Sequence, residues 1–146
     1  MRILALDPGR TTGVAYFPDT PSGTPNVEQR ELPYSHKDLY NYLRLVNPDI
    51  IVCESFVYQR RDKVDLSPVE MIGVVKLYCE RNGTPYKEQT PSQAKKFWTD
   101  QKIKTCGLWV PGHPHSIDAA RHLLYFMTFK LKDDRWMLML QDARSE

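Results

Sequence analysis

Two apolar runs in this 146-residue chain end in acids. Ile-Leu-Ala-Leu at 3–6 leads into Asp7, and Ile-Ile-Val-Cys at 50–53 leads into Glu54. A carboxylate at the end of a buried strand is costly unless a cation or hydrogen-bond donors meet it. If the two runs are parallel neighbours, both acids leave one edge of a sheet about 5 Å apart. Holding both ionised there calls for a divalent cation. Farther on, His115 and Asp118 stand three residues apart at the start of a helical pattern, hence on one face. A helix laid across the sheet could aim that face at the same edge. Three acids and a histidine, mostly oxygen donors, suit Mg2+ or Mn2+ better than zinc. Two such ions about 3.5–4 Å apart are the setting for phosphodiester hydrolysis.

Each of these residues also has a plainer reading. Asp7-Pro8-Gly9 is a common turn signal. Glu54 could be a strand-end acid paired with Arg60 or Arg61, and Asp118 could simply suit the positive end of a helix. His115, beside His113 and two prolines, could be an exposed loop histidine. His122, one turn past Asp118, reads as a partly buried helix residue.

The elements that must position these groups follow from periodicity. Residues 3–7 form a buried strand, Pro8 and Gly9 turn the chain, and Val14-Ala15-Tyr16-Phe17 returns beside it. Residues 27–32 alternate weakly as a third strand. Ser35 caps a helix over 36–46, with Leu39, Tyr42, Leu43 and Val46 on one face. The continuous apolar run at 50–53 is a strand buried on both faces. A second helix opens with Ser67 as its cap and Pro68 at its first position, and ends at Asn82-Gly83. Gly73 inside it costs about 1 kcal/mol relative to alanine, which suggests close packing. A short strand at 85–89, a short helix from Thr90 to Trp98, a loop at 107–112 with an exposed Trp109, and a last helix over 114–131 complete the pattern. The fold class is α/β, a central mixed five-stranded sheet flanked by helices. The two most apolar strands should be central, parallel neighbours, because a helix lies in the connection between them. The domain spans 1–132, and 133–146 form a tail that packs in part through Trp136, Leu138 and Leu140.

Composition excludes some classes. Hydrophobic residues are 41% and charged residues 26%, ordinary for a globular domain. The net charge of +2 is too small to argue for nucleic acid by itself, so the placement of the basic residues matters more. Arg60, Arg61 and Lys63 follow Glu54 with Phe56 and Tyr58 among them, and Lys95, Lys96, Lys102 and Lys104 precede the last helix. Cations of this kind hold phosphates, and the aromatics could stack on bases splayed at a branch point. Equally, Phe56 could be core and the cations a solvated surface. Cys53 and Cys79 lie in apolar surroundings and read as reduced core residues. No basic-then-apolar leader opens the sequence and no apolar run could span a bilayer, so a cytoplasmic location without membrane contact is expected.

Several stretches resemble the active-site motifs of the RuvC Holliday-junction resolvases, in the ribonuclease H-like superfamily. These are I-L-A-L-D-P-G-R-T-T-G-V-A at 3–15, I-I-V-C-E-S-F at 50–56 and H-S-I-D-A-A at 115–120. T-P-S-Q-A-K-K at 90–96 resembles the family's basic segment, and S-P-V-E-M-I-G-V-V at 67–75 stands where its dimer-forming helix lies. The resemblance covers most of 1–130 and implies a ribonuclease H-like fold. It implies a crossover junction endodeoxyribonuclease that cuts four-way or other branched DNA by paired nicks with two Mg2+ or Mn2+ ions, working as a homodimer through helix 67–81. It implies that Asp7, Glu54, His115 and Asp118 are metal ligands and that Lys95 approaches the scissile phosphate, with Lys102 or Lys104 as a second lysine. Here the aromatics fall two and four residues after the Glu rather than three, and the segment before the last motif is shorter. That compactness is similar to bacteriophage-encoded members, for which the host cytoplasm would be the location. The other readings are a nuclease of the same fold acting on flapped or RNA substrates, a non-catalytic DNA-binding protein, and an ATP-binding module. The last rests on the likeness of Asp-x-Gly-x-Thr to the actin and hexokinase phosphate loop, which needs two such domains.

Overall fold

The computed structural model describes residues 1–19, 25–58 and 63–145. Its centre is a five-stranded sheet of order β3-β2-β1-β4-β5, built from β1 (Ile3–Asp7), β2 (Thr12–Phe17), β3 (Glu28–Leu32), β4 (Ile50–Glu54) and β5 (Tyr86–Gln89). β1 pairs antiparallel with β2 and parallel with β4, the outer pairs follow the same senses, and the sheet is mixed. The central parallel pair is the one expected from the two apolar runs and the helix that joins them.

Alternation along the strands divides the core. Leu4, Leu6, Val14, Ile51 and Cys53 point to one face, where α1 (His36–Val46) and α2 (Ser67–Asn82) cover them with Leu39, Leu43, Met71, Val75 and Tyr78. Ile3, Ala5, Ala15, Phe17 and Val52 point to the other face, covered chiefly by α5 (Pro114–Tyr125). Around α5 stand α3 (Pro91–Phe97), α4 (Asp100–Thr105), a π-helical turn at Phe126–Lys130 and α6 (Arg135–Ser145). Trp136 and Leu140 of α6 are buried in this second core. Cys53, Cys79 and Cys106 are all buried and free.

Local signals explain most boundaries. The Ser35 hydroxyl accepts from the Asp38 amide to start α1, and Asn47 in the left-handed region ends it. Thr90 and Gln93 form a reciprocal capping box on α3, and Gly83 closes α2 at φ +67°. Four expectations need correction. α2 begins one residue early, with Leu66 at the cap position and Ser67 already helical, because Asp65 accepts the Ser67 amide. Gly73 faces open space rather than a packed neighbour. Trp109 is half-buried against the α5-side core with the Lys104 ammonium over its ring, not exposed. The last helix is α-helical only to Tyr125 and then widens into the π turn. No helix among the described residues is long and apolar enough to cross a membrane.

Candidate active site

Strand register assembles the site. Leu6 pairs with Cys53, which sets Asp7 beside Glu54 at the ends of β1 and β4. Asp7 also pairs with Gly13 on β2, Gly13 with Glu31 on β3, and Glu54 with Gln89 on β5. Residues paired across strands share a face, so Glu31, Gly13, Asp7, Glu54 and Gln89 form one row across all five strands. By alternation with Ala5, Ala15 and Val52 that row belongs to the α5 face.

α5 crosses this row. His115, Asp118 and His122 recur at three and seven residues, so they lie along one side of the helix. At 1.5 Å per residue, His115 and His122 are about 10 Å apart along the axis. Asp7 and Gln89, two strand spacings apart, are separated by about the same distance. The match lets one helix meet the whole acid-bearing end of the sheet. His115 Nδ1 lies 3.4 Å from Asp7 Oδ2, and His122 Nε2 lies 3.2 Å from Glu54 Oε1.

Two features pin the first turn of α5. Glu31 accepts the His115 amide at 2.8 Å and the Ser116 amide at 3.1 Å, capping the helix from the neighbouring strand, and His113 Nδ1 adds a contact at 3.1 Å. Burial alone would raise the Glu31 pKa, but His113 and these two backbone donors hold it below the usual carboxylate range. Beneath that turn, a Cβ on Gly13 would sit 1.9 Å from the His115 carbonyl oxygen, so only glycine admits the approach.

The acids line a cleft of about 520 Å³ together with Pro8, Gly9, Phe56 and His115. Asp7 is buried, and its pKa is pushed far above the usual carboxylate range by desolvation and then by the carboxyls of Glu54 and Asp118. Burial also pushes Glu54 up, but the His122 hydrogen bond and a protonated Asp7 outweigh it and hold Glu54 below its ordinary value. The pair therefore shares a proton that a cation would displace. Asp118 is flanked by Lys95 Nζ at 3.7 Å and Arg121 Nε at 3.3 Å. Arg121 is itself buried and also binds the Trp98 carbonyl and Asp100, tying α5 to the α3–α4 junction.

As the side chains stand, no three His, Cys, Asp or Glu side chains among the described residues form a ready cage for one ion. The donors nevertheless fit a hard divalent cation. Two adjacent carboxyls that disfavour each other's ionised form, beside a third acid and an imidazole, are an oxygen-rich set whose repulsion such an ion relieves.

Asp7, Glu54, His115, Asp118 and Lys95 thus come together, drawn from β1, β4, α5 and α3. The proposed DNA-contacting residues do not all join them. Phe56 lines the cleft but is half-buried against the α1–α2 core, whereas Tyr58 is 65% exposed. Lys63 and Lys96 are exposed and do not line the cleft. Lys102 and Lys104 stand on α4, with their ammonium groups over the Phe97 and Trp109 rings at 3.6 and 4.5 Å. Arg60 and Arg61 lie outside the described residues. Sequence reasoning missed Gly13, Glu31, Gln89, Arg121 and the role of His122. The one available signal was a histidine seven residues after His115, on the same helical side.

The fold, a mixed five-stranded sheet with flanking helices, is the RuvC-like one seen in solved structures. Thermus thermophilus RuvC in complex with a Holliday junction substrate superposes with a TM-score of 0.70 at 16% identity, covering 90% of this chain and 96% of that one. A further T. thermophilus RuvC structure gives 0.64 at 15% identity over 89% and 97% of the two chains. The yeast mitochondrial Holliday junction resolvase Ydc2 gives 0.53 at 11% identity over 98% and 81%. No sequence-family model and no curated protein matches the chain.

Proposed function

We propose that this chain is a metal-dependent, structure-selective endodeoxyribonuclease that resolves Holliday junctions or related branched DNA by paired nicks. The observation that carries the reading is the meeting of Asp7, Glu54 and Asp118 in one cleft, with Lys95 at its edge, on a sheet of RuvC topology. Asp7, Glu54, Asp118 and His115 would hold Mg2+ or Mn2+, up to two ions, which when bound activate water and offset charge on the phosphate oxygens. On loading, Asp7 would release its proton to solvent, and Glu54, held by the His122 hydrogen bond, would present a fixed carboxylate. Lys95, one of the exposed cations of α3, meets the strand and positions the scissile phosphate beside Asp118. Phe56 forms an apolar wall against which a base or sugar can rest, and Tyr58 is free to stack on a splayed base. His115, exposed on its outer side, completes the mouth of the cleft.

A two-fold substrate calls for two sites, and α2 supports a homodimer. Leu66, Val69 and Leu77 are exposed at positions spaced by three and eight residues, with Gly73 open between them, so one helical side presents an apolar stripe to a second copy. The compact chain also fits a bacteriophage-encoded member acting in a host cytoplasm. Incubation with a labelled four-way junction and a matching linear duplex, with and without Mg2+, tests the reading. Mg2+-dependent, symmetric nicking of the junction is expected. Equal cutting of linear duplex would refute the structure selectivity, and junction binding without cutting would make the chain a non-catalytic binder.

A further inference from the structure

The Gln89–His122–Glu54 chain is the buried polar arrangement that the cleft's own groups leave unexplained. His122 is 1% exposed, yet both of its ring nitrogens have polar partners. The Gln89 side-chain nitrogen lies 3.0 Å from His122 Nδ1 and donates to the His122 carbonyl oxygen at 3.1 Å. Turning the amide over would set its oxygen against that carbonyl, so the nitrogen faces the histidine. Nδ1 then accepts, and Nε2 must carry the proton. That proton points at Glu54 Oε1, 3.2 Å away.

We propose that His122 is a positioning residue for Glu54, held in its Nε2–H tautomer by Gln89, and that this second layer sets the divalent-cation affinity of the site. Three adjoining elements contribute: α5 supplies His122, β5 supplies Gln89 and β4 supplies Glu54. Register explains why the trio meets, since Glu54 and Gln89 are paired on the α5 face and His122 lies two turns beyond His115. With Nδ1 filled by Gln89, the buried Nε2–H still needs an acceptor, and it finds one in an acid of the cleft rather than in a backbone carbonyl. Outer partners of ligating carboxylates typically tune metal affinity 10–100-fold. The proposal rests on the nuclease reading in so far as Glu54 holds a metal ion.

The test uses the full chain, Mn2+ titration by calorimetry, and 15N spectra of the histidine rings in metal-free protein. His122→Phe should weaken Mn2+ binding by about 10-fold or more, and His122→Gln, which keeps a donor near the reach of Nε2, should recover most of it. The wild-type spectrum should show His122 protonated at Nε2 alone, with the Nε2–H kept in Glu54→Leu but its hydrogen-bonded shift lost. Equal Mn2+ affinity in wild type, His122→Phe and His122→Gln would overturn the proposal, as would an Nδ1–H tautomer. If His122→Phe fails to fold, His122→Gln against Gln89→Leu decides. Retained affinity in the first and loss in the second support the relay, and equal affinity in both overturns it. Absence of Mn2+ binding by folded wild-type protein would refute both the metal-affinity claim and the nuclease reading. The Nε2–H signal would then still show whether His122 orients Glu54.

Discussion

Replacing Gly13 with alanine adds one methyl group where α5 lies directly on β2. The new Cβ would meet the His115 carbonyl oxygen at 1.9 Å, its carbon at 2.2 Å and the Ser116 nitrogen at 2.8 Å. All three are backbone atoms, so no rotamer change relieves the contact, and the first turn of α5 must lift by about 1 Å to reach even a tight van der Waals separation. Overpacking of this kind costs about 1–3 kcal/mol, while alanine stiffens the unfolded chain and returns about 0.4–1 kcal/mol. The clash wins, for a net loss of about 1–2 kcal/mol. At about 2–4 °C per kcal/mol for a chain of this size, thermal denaturation should shift down by roughly 2–8 °C. The functional effect should be larger than the stability effect, because the turn that lifts carries His115 and, one turn on, Asp118. A misplacement of about 1 Å at reacting groups costs about 100-fold in rate. Junction cleavage under Mg2+ at a temperature where the variant is fully folded is the assay, with calorimetric melting alongside. A variant that melts and cuts like wild type would refute the claim that close approach at Gly13 places α5.

Three further outcomes are expected. Without divalent cations, stability should fall as pH rises above about 4, the ordinary carboxylate value. The folded chain holds the raised-pKa Asp7 proton there and the unfolded chain does not, so the stability that proton provides is lost toward the folded pKa. Melting temperatures in chelator at pH 5 and pH 8 check the slope, which should flatten in Asp7→Asn; an unchanged slope would contradict the shared-proton account. Lys95→Ala should weaken junction binding or cleavage and reduce the salt dependence by about one phosphate contact, and binding titrations at several salt concentrations would show an unaltered slope if Lys95 touches no phosphate. Leu77→Glu should yield monomers by light scattering at micromolar concentration, and a wild-type mass would remove α2 from the interface.

The parts of the fold that could be read from the sequence were those written into contiguous runs. The apolar stretches at 3–6 and 50–53 marked the central strands, the helix between them required parallel pairing, and acids at both ends gave Asp7 and Glu54 a common edge. The three-residue spacing of His115 and Asp118 placed them on one helical side. What stayed hidden depends on cross-strand register. Glu31 and Gln89 lie at or next to the ends of short polar strands whose alternation is weak, and only their pairing with Gly13 and Glu54 puts them in the row beneath α5. Gly13 looks like a turn residue until the helix is seen resting on it. Lys102 and Lys104 looked like a basic stretch, but a short helix seats their charges over Phe97 and Trp109.

The most direct test of the central claim compares wild type and Asp7→Asn on one labelled four-way junction, measuring binding without divalent cation and nicking with Mg2+. Comparable binding by both proteins is expected, with nicking lost only in the variant, by more than the about 100-fold that removal of an outer-layer partner can cost. Wild-type nicking by Asp7→Asn would contradict the assignment of this cleft as the active site.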